Sequence, residues 1–161
     1  IMNKLEMDVR DTVLLANAES IAVEASMVAY EGVVIAAERD AGSLRTMEEN
    51  ASKFGTHNIE IIPEITVEAL EKLPTPRLAF IVAQESTIEN DIVTLLKVNP
   101  KIKFIIYTLE LDILADIKYL MKKHGVDVTE VMQIAVSKVD KNGVFVAQPA
   151  PWMITGEVKE K

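Results

Sequence analysis

Thr12-Val13-Leu14-Leu15-Ala16-Asn17 and Gly32-Val33-Val34-Ile35-Ala36-Ala37-Glu38-Arg39-Asp40 bracket an alanine-rich segment, and their reading decides the fold. The two apolar runs are short, flanked by a turn residue or glycine, and lack polar alternation, as strands buried on both faces do. Between them Ala18, Ile21, Ala22, Ala25, Val28 and Ala29 recur at helical spacing, so residues 18–29 read as a helix with Asn17 as its N-cap. Strand, helix, strand in that order is the unit of a parallel sheet.

The same alternation continues outward. Asp40 is placed to cap a helix with the apolar stripe Ala41, Leu44, Met47, Ala51 and Phe54, which Gly55 closes. A strand over 58–62, a short helix over 67–73, a strand over 78–83, a helix over 88–96 and a strand over 102–107 follow. Thr108 is placed to cap the next helix, which ends in Lys122-Lys123-His124-Gly125, cations and a glycine that suit a helix C-terminus. Two extended runs, 127–138 and 143–148, are joined by Asp140-Lys141-Asn142-Gly143, a hairpin signal. The predicted fold is α/β and Rossmann-like: a mostly parallel sheet with strand one central and an antiparallel C-terminal hairpin at its edge. The chain reads as one domain over 1–161, and an Ile ahead of a Met fits a tag remnant or a piece cut from a longer chain.

Composition narrows the function. Of 161 residues 49% are hydrophobic, ample for a core, and 17 Lys+Arg stand against 25 Asp+Glu, which argues against a broad nucleic-acid footprint. Cysteine is absent, which excludes disulfides and thiolate chemistry and fits a reducing, cytoplasmic setting. Two histidines, His57 and His124, make a multi-histidine metal centre or a catalytic triad a poor expectation; they read as a loop residue and a helix-end cation. Glu6, Asp8 and Asp11 lack metal-ligand spacing, so no metal is expected. No apolar run reaches the ~20 residues of a membrane span.

Ligands of open α/β sheets bind beyond the carboxyl ends of the strands. Glu38, at the end of the second strand, stands where such folds place an acid that accepts from both ribose hydroxyls. Alternatively it pairs at the surface with Arg39 or a lysine.

The segments Gly32 to Asp40, Glu49-Asn50-Ala51-Ser52-Lys53-Phe54-Gly55 and Asn58-Ile59-Glu60-Ile61-Ile62 resemble a class I S-adenosylmethionine (SAM) methyltransferase. Tyr107-Thr108-Leu109-Glu110 and the tail Trp152-Met153-Ile154-Thr155-Gly156 are similar to the decarboxylating precorrin methyltransferases of cobalamin biosynthesis. That resemblance implies methyl transfer from SAM to a tetrapyrrole (precorrin) ring carbon with loss of carbon dioxide from an acetate side chain. It places cofactor contacts at Asn17, Ser20, Glu38, Arg39 and Ile65 and substrate contacts at Gln84 and Glu85; no catalytic residue is assigned. The family forms tetramers, which implies a homo-oligomer here through residues 126–156.

Departures from the family pattern carry their own expectation. The glycine-rich turn after strand one is Ala16-Asn17-Ala18-Glu19-Ser20-Ile21, without glycine. The acid expected to face the adenine amine aligns with Glu64-Ile65, and Ile65 cannot accept a hydrogen bond. The glycine loop after strand four is Val82-Ala83-Gln84-Glu85-Ser86. The cofactor pocket therefore reads as degenerate, with weak SAM binding or none, and the alternative function is a non-catalytic structural or partner domain.

Overall fold

The computed structural model describes residues 1–160. Its elements run α1 (Met2–Leu5), β1 (Thr12–Ala16), α2 (Glu19–Val28), β2 (Val33–Ala37), α3 (Ala41–Phe54), β3 (Ile59–Ile62), α4 (Val67–Leu70) and β4 (Leu78–Val82). Then come α5 (Ile88–Val98), β5 (Lys103–Thr108), α6 (Leu111–Lys123), β6 (Val126–Gln133), β7 (Ser137–Val139), β8 (Phe145–Ala147) and β9 (Trp152–Val158). Seven strands form one sheet in the order β3-β2-β1-β4-β5-β9-β6, and β7 and β8 form a separate two-stranded sheet. Strands β1 to β5 are parallel to their neighbours, whereas β9 runs antiparallel to both β5 and β6. The mostly parallel α/β reading and the central place of β1 are as expected from the sequence.

Alternation along each strand divides the core. Val13, Leu15, Val34 and Phe80 face α1 to α3, where they meet Leu5, Ala22, Ala25 and Met47. Leu14, Ile35, Ile81 and Phe104 face α4 to α6, where they meet Leu70, Ile92, Leu95 and Ile117. Each fully buried side chain of this size contributes about 1.5–3 kcal/mol. The predicted caps of α3 both form: Asp40 accepts from the Ser43 amide at 2.7 Å, and Gly55 adopts φ 66°. At the amino end of the sheet Gly32 is required by contact, because a Cβ there would lie 2.0 Å from the Asp11 carbonyl oxygen.

The structure corrects the sequence reading in four places. Asn17 does not cap α2; that helix starts at Glu19 after Ala18, and Asn17 itself adopts a left-handed conformation with φ 55°. Thr108 does not cap α6 but ends β5, three residues before that helix, its hydroxyl accepting from the Glu110 amide at 3.0 Å. The run 127–138 is two strands rather than one, β6 and β7. The tail is itself a strand, β9, inserted between β5 and β6, so the antiparallel part of the main sheet is β9–β6 while the predicted hairpin stands apart as β7–β8. The hairpin turn is as read: Gly143 has φ 78°, and Asp140 accepts from the amides of Asn142 and Val144. Among the described residues no helix is long and apolar enough to cross a membrane.

Candidate functional site

The strand order reverses at β1, with β2 on one side and β4 on the other. That reversal opens the crevice in which open α/β sheets hold ligands. Five buried side-chain atoms among the described residues lack a hydrogen-bond partner: Asn17 Oδ1, Glu38 Oε2, Arg39 Nη1, Thr87 Oγ1 and Asp91 Oδ2. All of them belong to the loops and helix start that follow β1, β2 and β4. Native interiors leave few such groups, and each calls for an explanation.

Glu38 is only 5% exposed. Its Oε1 accepts from the Asp40 amide at 3.0 Å, its own amide donates to Ile62 O at 3.1 Å, and Oε2 is bare. The surface pairing with Arg39 or a lysine does not occur. Instead Arg39 Nη2 donates to Asp91 Oδ1 at 2.9 Å. Asp91 is 0% exposed, and burial pushes its carboxyl above the usual carboxylate range, against the pull of Arg39. Thr87 stands beside it, its hydroxyl without a well-aligned bond of its own.

Asn17 does in part what the absent glycine would do. It is one of the few residue types that tolerate the left-handed region, so the turn after β1 keeps a glycine-like backbone. Its Nδ2 donates to Val82 O at 3.2 Å and ties the ends of β1 and β4 together. Ser20 is exposed on the first turn of α2 and borders a cavity of about 150 Å³ with Asn17, Ile21, Phe80, Val82 and Tyr107. Sites for drug-sized ligands are roughly 300–1,000 Å³, so this cavity takes only part of a nucleoside. Phe80 and Tyr107, with rings 6.2 Å apart, fill the neighbouring space.

The remaining candidates lie elsewhere. Ile65 is 1% exposed and belongs to the core with Ile62 and Leu70. Gln84 and Glu85 are exposed on the turn into α5, where the Gln84 carbonyl accepts from the amides of Thr87 and Ile88. They stand outside the 150 Å³ cavity. His57 is exposed at the far end of the sheet, and His124 Nε2 lies 3.0 Å from Glu89 Oε1, beside the Lys123–Glu89 pair. Trp152 packs against the core. Among the described residues no three His, Asp or Glu side chains are grouped to hold a metal ion.

Asp91 and Thr87 went unnoticed in the sequence, although a signal for Asp91 exists. It lies three residues after Ile88 and four before Leu95, on the buried stripe of α5, where a lone carboxylate is anomalous.

Residues 14–156 match the sequence profile of a family described as precorrin methyltransferase domain. No curated protein matches the chain significantly. Among solved structures, precorrin-6Y C5,15-methyltransferase of Geobacter metallireducens is similar with a TM-score of 0.87 at 24% identity, over 98% of this chain and 85% of that one. Precorrin-8W decarboxylase of Methanobacterium thermoautotrophicum gives 0.80 at 18% identity, over 98% and 87%. TrmK of M. capricolum, bound to S-adenosyl-homocysteine, gives 0.68 at 13% identity, over 99% and 68%. At these identities the likenesses establish a shared fold.

Proposed function

The chain belongs to the precorrin methyltransferase domain family, and from that premise we propose that it is a SAM-dependent methyltransferase acting on a ring carbon of a precorrin-type tetrapyrrole, with weakened hold on its cofactor. The observation that carries this reading is Glu38, whose buried and unpartnered Oε2 stands at the end of β2. A carboxylate there accepts from two vicinal hydroxyls, and the Asp40 amide on Oε1 fixes its orientation. Hydrogen bonds to a charged acceptor contribute about 1.5–3 kcal/mol each.

SAM when bound supplies an electrophilic methyl group on a sulfonium. This chain's residues bind and orient. Asn17 shapes the turn that faces the methionine portion, and Ser20 offers a hydroxyl at the start of α2. Glu19, the first residue of α2, repels the methionine carboxylate. Gln84 and Glu85, exposed at the mouth of the crevice, are assigned to the tetrapyrrole. The family resemblance adds loss of carbon dioxide from an acetate arm; no side chain here is assigned as a base, so positioning and pocket electrostatics carry the step. The narrow cavity beside Phe80 and Tyr107 supports the weakened hold. It also favours a second reading, a non-catalytic partner domain of the same fold.

The test is ligand-observed NMR with SAM and S-adenosylhomocysteine. A dissociation constant near millimolar supports the weakened enzyme, low micromolar overturns the weakening, and no binding at several millimolar leaves the partner-domain reading. The β7–β8 hairpin exposes Val139, Val144 and Phe145, the last 77% exposed, and we assign residues 126–156 to contact with a second copy. Light scattering of the unmodified chain and of Phe145→Lys checks this: a mass that falls on substitution supports it, and a monomer at the start overturns it.

A further inference from the structure

Glu38 accounts for one of the unpartnered polar groups in the crevice; Arg39, Thr87 and Asp91 remain. Arg39 lies between the end of β2 and the Asp40 cap of α3, and Asp91 lies in the first turn of α5, the helix that follows β4. Because β2 and β4 lie on opposite sides of β1, the Arg39–Asp91 pair reaches across the mouth of the crevice in front of β1. The end of β2 is shut off from solvent. Glu38 is 5% exposed, and neither it nor Arg39 nor Asp91 borders the cavity of about 150 Å³ beside Asn17 and Ser20. With the pair closed, nothing the size of a ribose reaches Glu38 Oε2.

We propose that this pair is a gate: a ribose gains Glu38 only when Arg39 releases Asp91 and swings toward solvent. The inference rests on the assignment of the ribose to Glu38, the residue next to Arg39 in the chain. It goes further by making closure, and not missing contacts alone, a source of the weakened hold on the cofactor. A site that is open only part of the time has its affinity reduced by the open fraction. Minor states commonly hold about 0.1–10% of a population, so an open state near 1–10% weakens binding about ten- to a hundredfold.

The two halves of the gate are built unequally. Asp91 is fixed on a helix with its side chain 0% accessible, whereas Arg39 stands in a loop with its side chain 22% accessible and a long stem that can rotate outward. The tie between them is light. It is a single bond, Nη2 to Oδ1 at 2.9 Å, without the two-point grip that makes arginine–carboxylate pairs strong, and Nη1 and Oδ2 gain no partner from closure. A buried pair also contributes little net stability compared with apolar side chains of similar volume. The open state has its own donor. Thr87, one helical turn before Asp91, carries a bare hydroxyl that can rotate to donate to the carboxylate when Arg39 leaves. Burial already pushes Asp91 toward its neutral form, which loosens its hold on a cation.

The experiment follows two readouts in the unmodified chain, Asp91→Leu and Asp91→Asn, each checked for folding by circular dichroism. One is the rate at which a water-soluble carbodiimide and glycinamide label Glu38, read by peptide mass spectrometry against exposed Glu48 as internal standard. The other is S-adenosylhomocysteine binding by ligand-observed NMR. Asp91→Leu places an apolar side chain on the stripe of Ile88, Ile92 and Leu95 and leaves Arg39 free to turn outward. We expect it to label Glu38 about tenfold faster and to bind the ligand about tenfold or more tightly, a gain that Glu38→Gln in the same background removes. Asp91→Asn, which keeps one hydrogen bond to Arg39 without the charge, falls between, and it decides if Asp91→Leu does not fold. Faster labelling with no binding by any of the proteins upholds the gate and overturns the ribose assignment. Unchanged labelling overturns the gate. So does binding that is measurable but unchanged or weaker in Asp91→Leu, which would make the pair structural or a ligand contact.

Discussion

Asp11 and Asp91 are aspartates paired with arginines at opposite ends of one sheet, and their surroundings shift their carboxyls in opposite directions. At the amino end Arg77 grips Asp11 through Nε at 2.7 Å and Nη2 at 2.8 Å, and the Asp8 amide adds a third bond at 2.6 Å. The Arg77 guanidinium holds the Asp11 carboxyl below its ordinary range. At the carboxyl end Asp91 has one bond to Arg39 and a bare second oxygen, and burial drives it the other way. Neighbouring groups repeat the contrast. Asn58 near the amino end donates to the carbonyls of Ser26, Ala29 and Gly32, whereas Asn17 at the carboxyl end leaves Oδ1 unpaired. One end is complete in itself, and the other keeps buried polar atoms without a hydrogen-bond partner.

The sharpest way to break the complete end is Gly32→Ala. The added Cβ collides with backbone at Asp11, which no rotamer change relieves, so we expect a loss of about 3 kcal/mol or more. Urea denaturation measures it, and a loss below 1 kcal/mol, the size of a mild surface change, would show that this end is looser than described. Next in size is the joint substitution of Arg39→Met with Asp91→Leu. Removing a buried pair whose second arms lack partners should stabilise the chain by about 2 kcal/mol. A destabilised double variant would make the pair structural.

Smaller still is Asp11→Asn. Arg77 is half exposed, so solvent screening limits the expected loss to about 1 kcal/mol at neutral pH. The lowered pKa means that this contribution is present above the unfolded value near 4 and disappears as pH falls through the folded one. Asp91 has the opposite sign. Its raised pKa favours the folded state in acid, and that advantage is lost as pH rises from about 4 through the raised value. Melting temperatures from pH 3 to 8 should therefore show a weaker acid limb for Asp11→Asn and a flatter approach to neutrality for Asp91→Asn. Parallel profiles for the two variants would dissolve the comparison.

What the sequence disclosed follows how local each cause is. Strands β1, β2, β4 and β5 are apolar runs bounded by glycine, proline or polar residues, and α3 carries both its caps within its own segment. Glu38 was legible because its place depends on a strand end nearby in the chain. Its freedom from a partner was not, since that depends on Arg39 reaching Asp91, 52 residues away. Asn17 was misread because asparagine suits both an N-cap and a left-handed turn, and only the tertiary tie to Val82 separates them. That Ile65 lacks an acceptor is legible in the sequence, whereas its burial against Ile62 and Leu70 depends on packing between elements. Strand β9 was missed because Pro149 and Pro151 precede it, Gly156 interrupts it, and both its partners are distant in sequence. Gly156 is there for contact, a Cβ meeting Met121 Sδ at 2.7 Å.

The position of β9 also sets a timetable for folding. Lys103 to Tyr107 pair on one side with β4, and Phe104 to Thr108 pair on the other with residues 152–156. During synthesis, therefore, the β5 backbone edge stays open while the next four dozen or so residues are made, and β6 has no place in the main sheet until β9 arrives between them. Such an interval exposes an apolar strand edge to other nascent chains, and closing it demands contacts of long sequence separation, which form slowly. Refolding should accordingly show a late phase reported by Trp152, the single tryptophan of the chain and the first residue of that last strand.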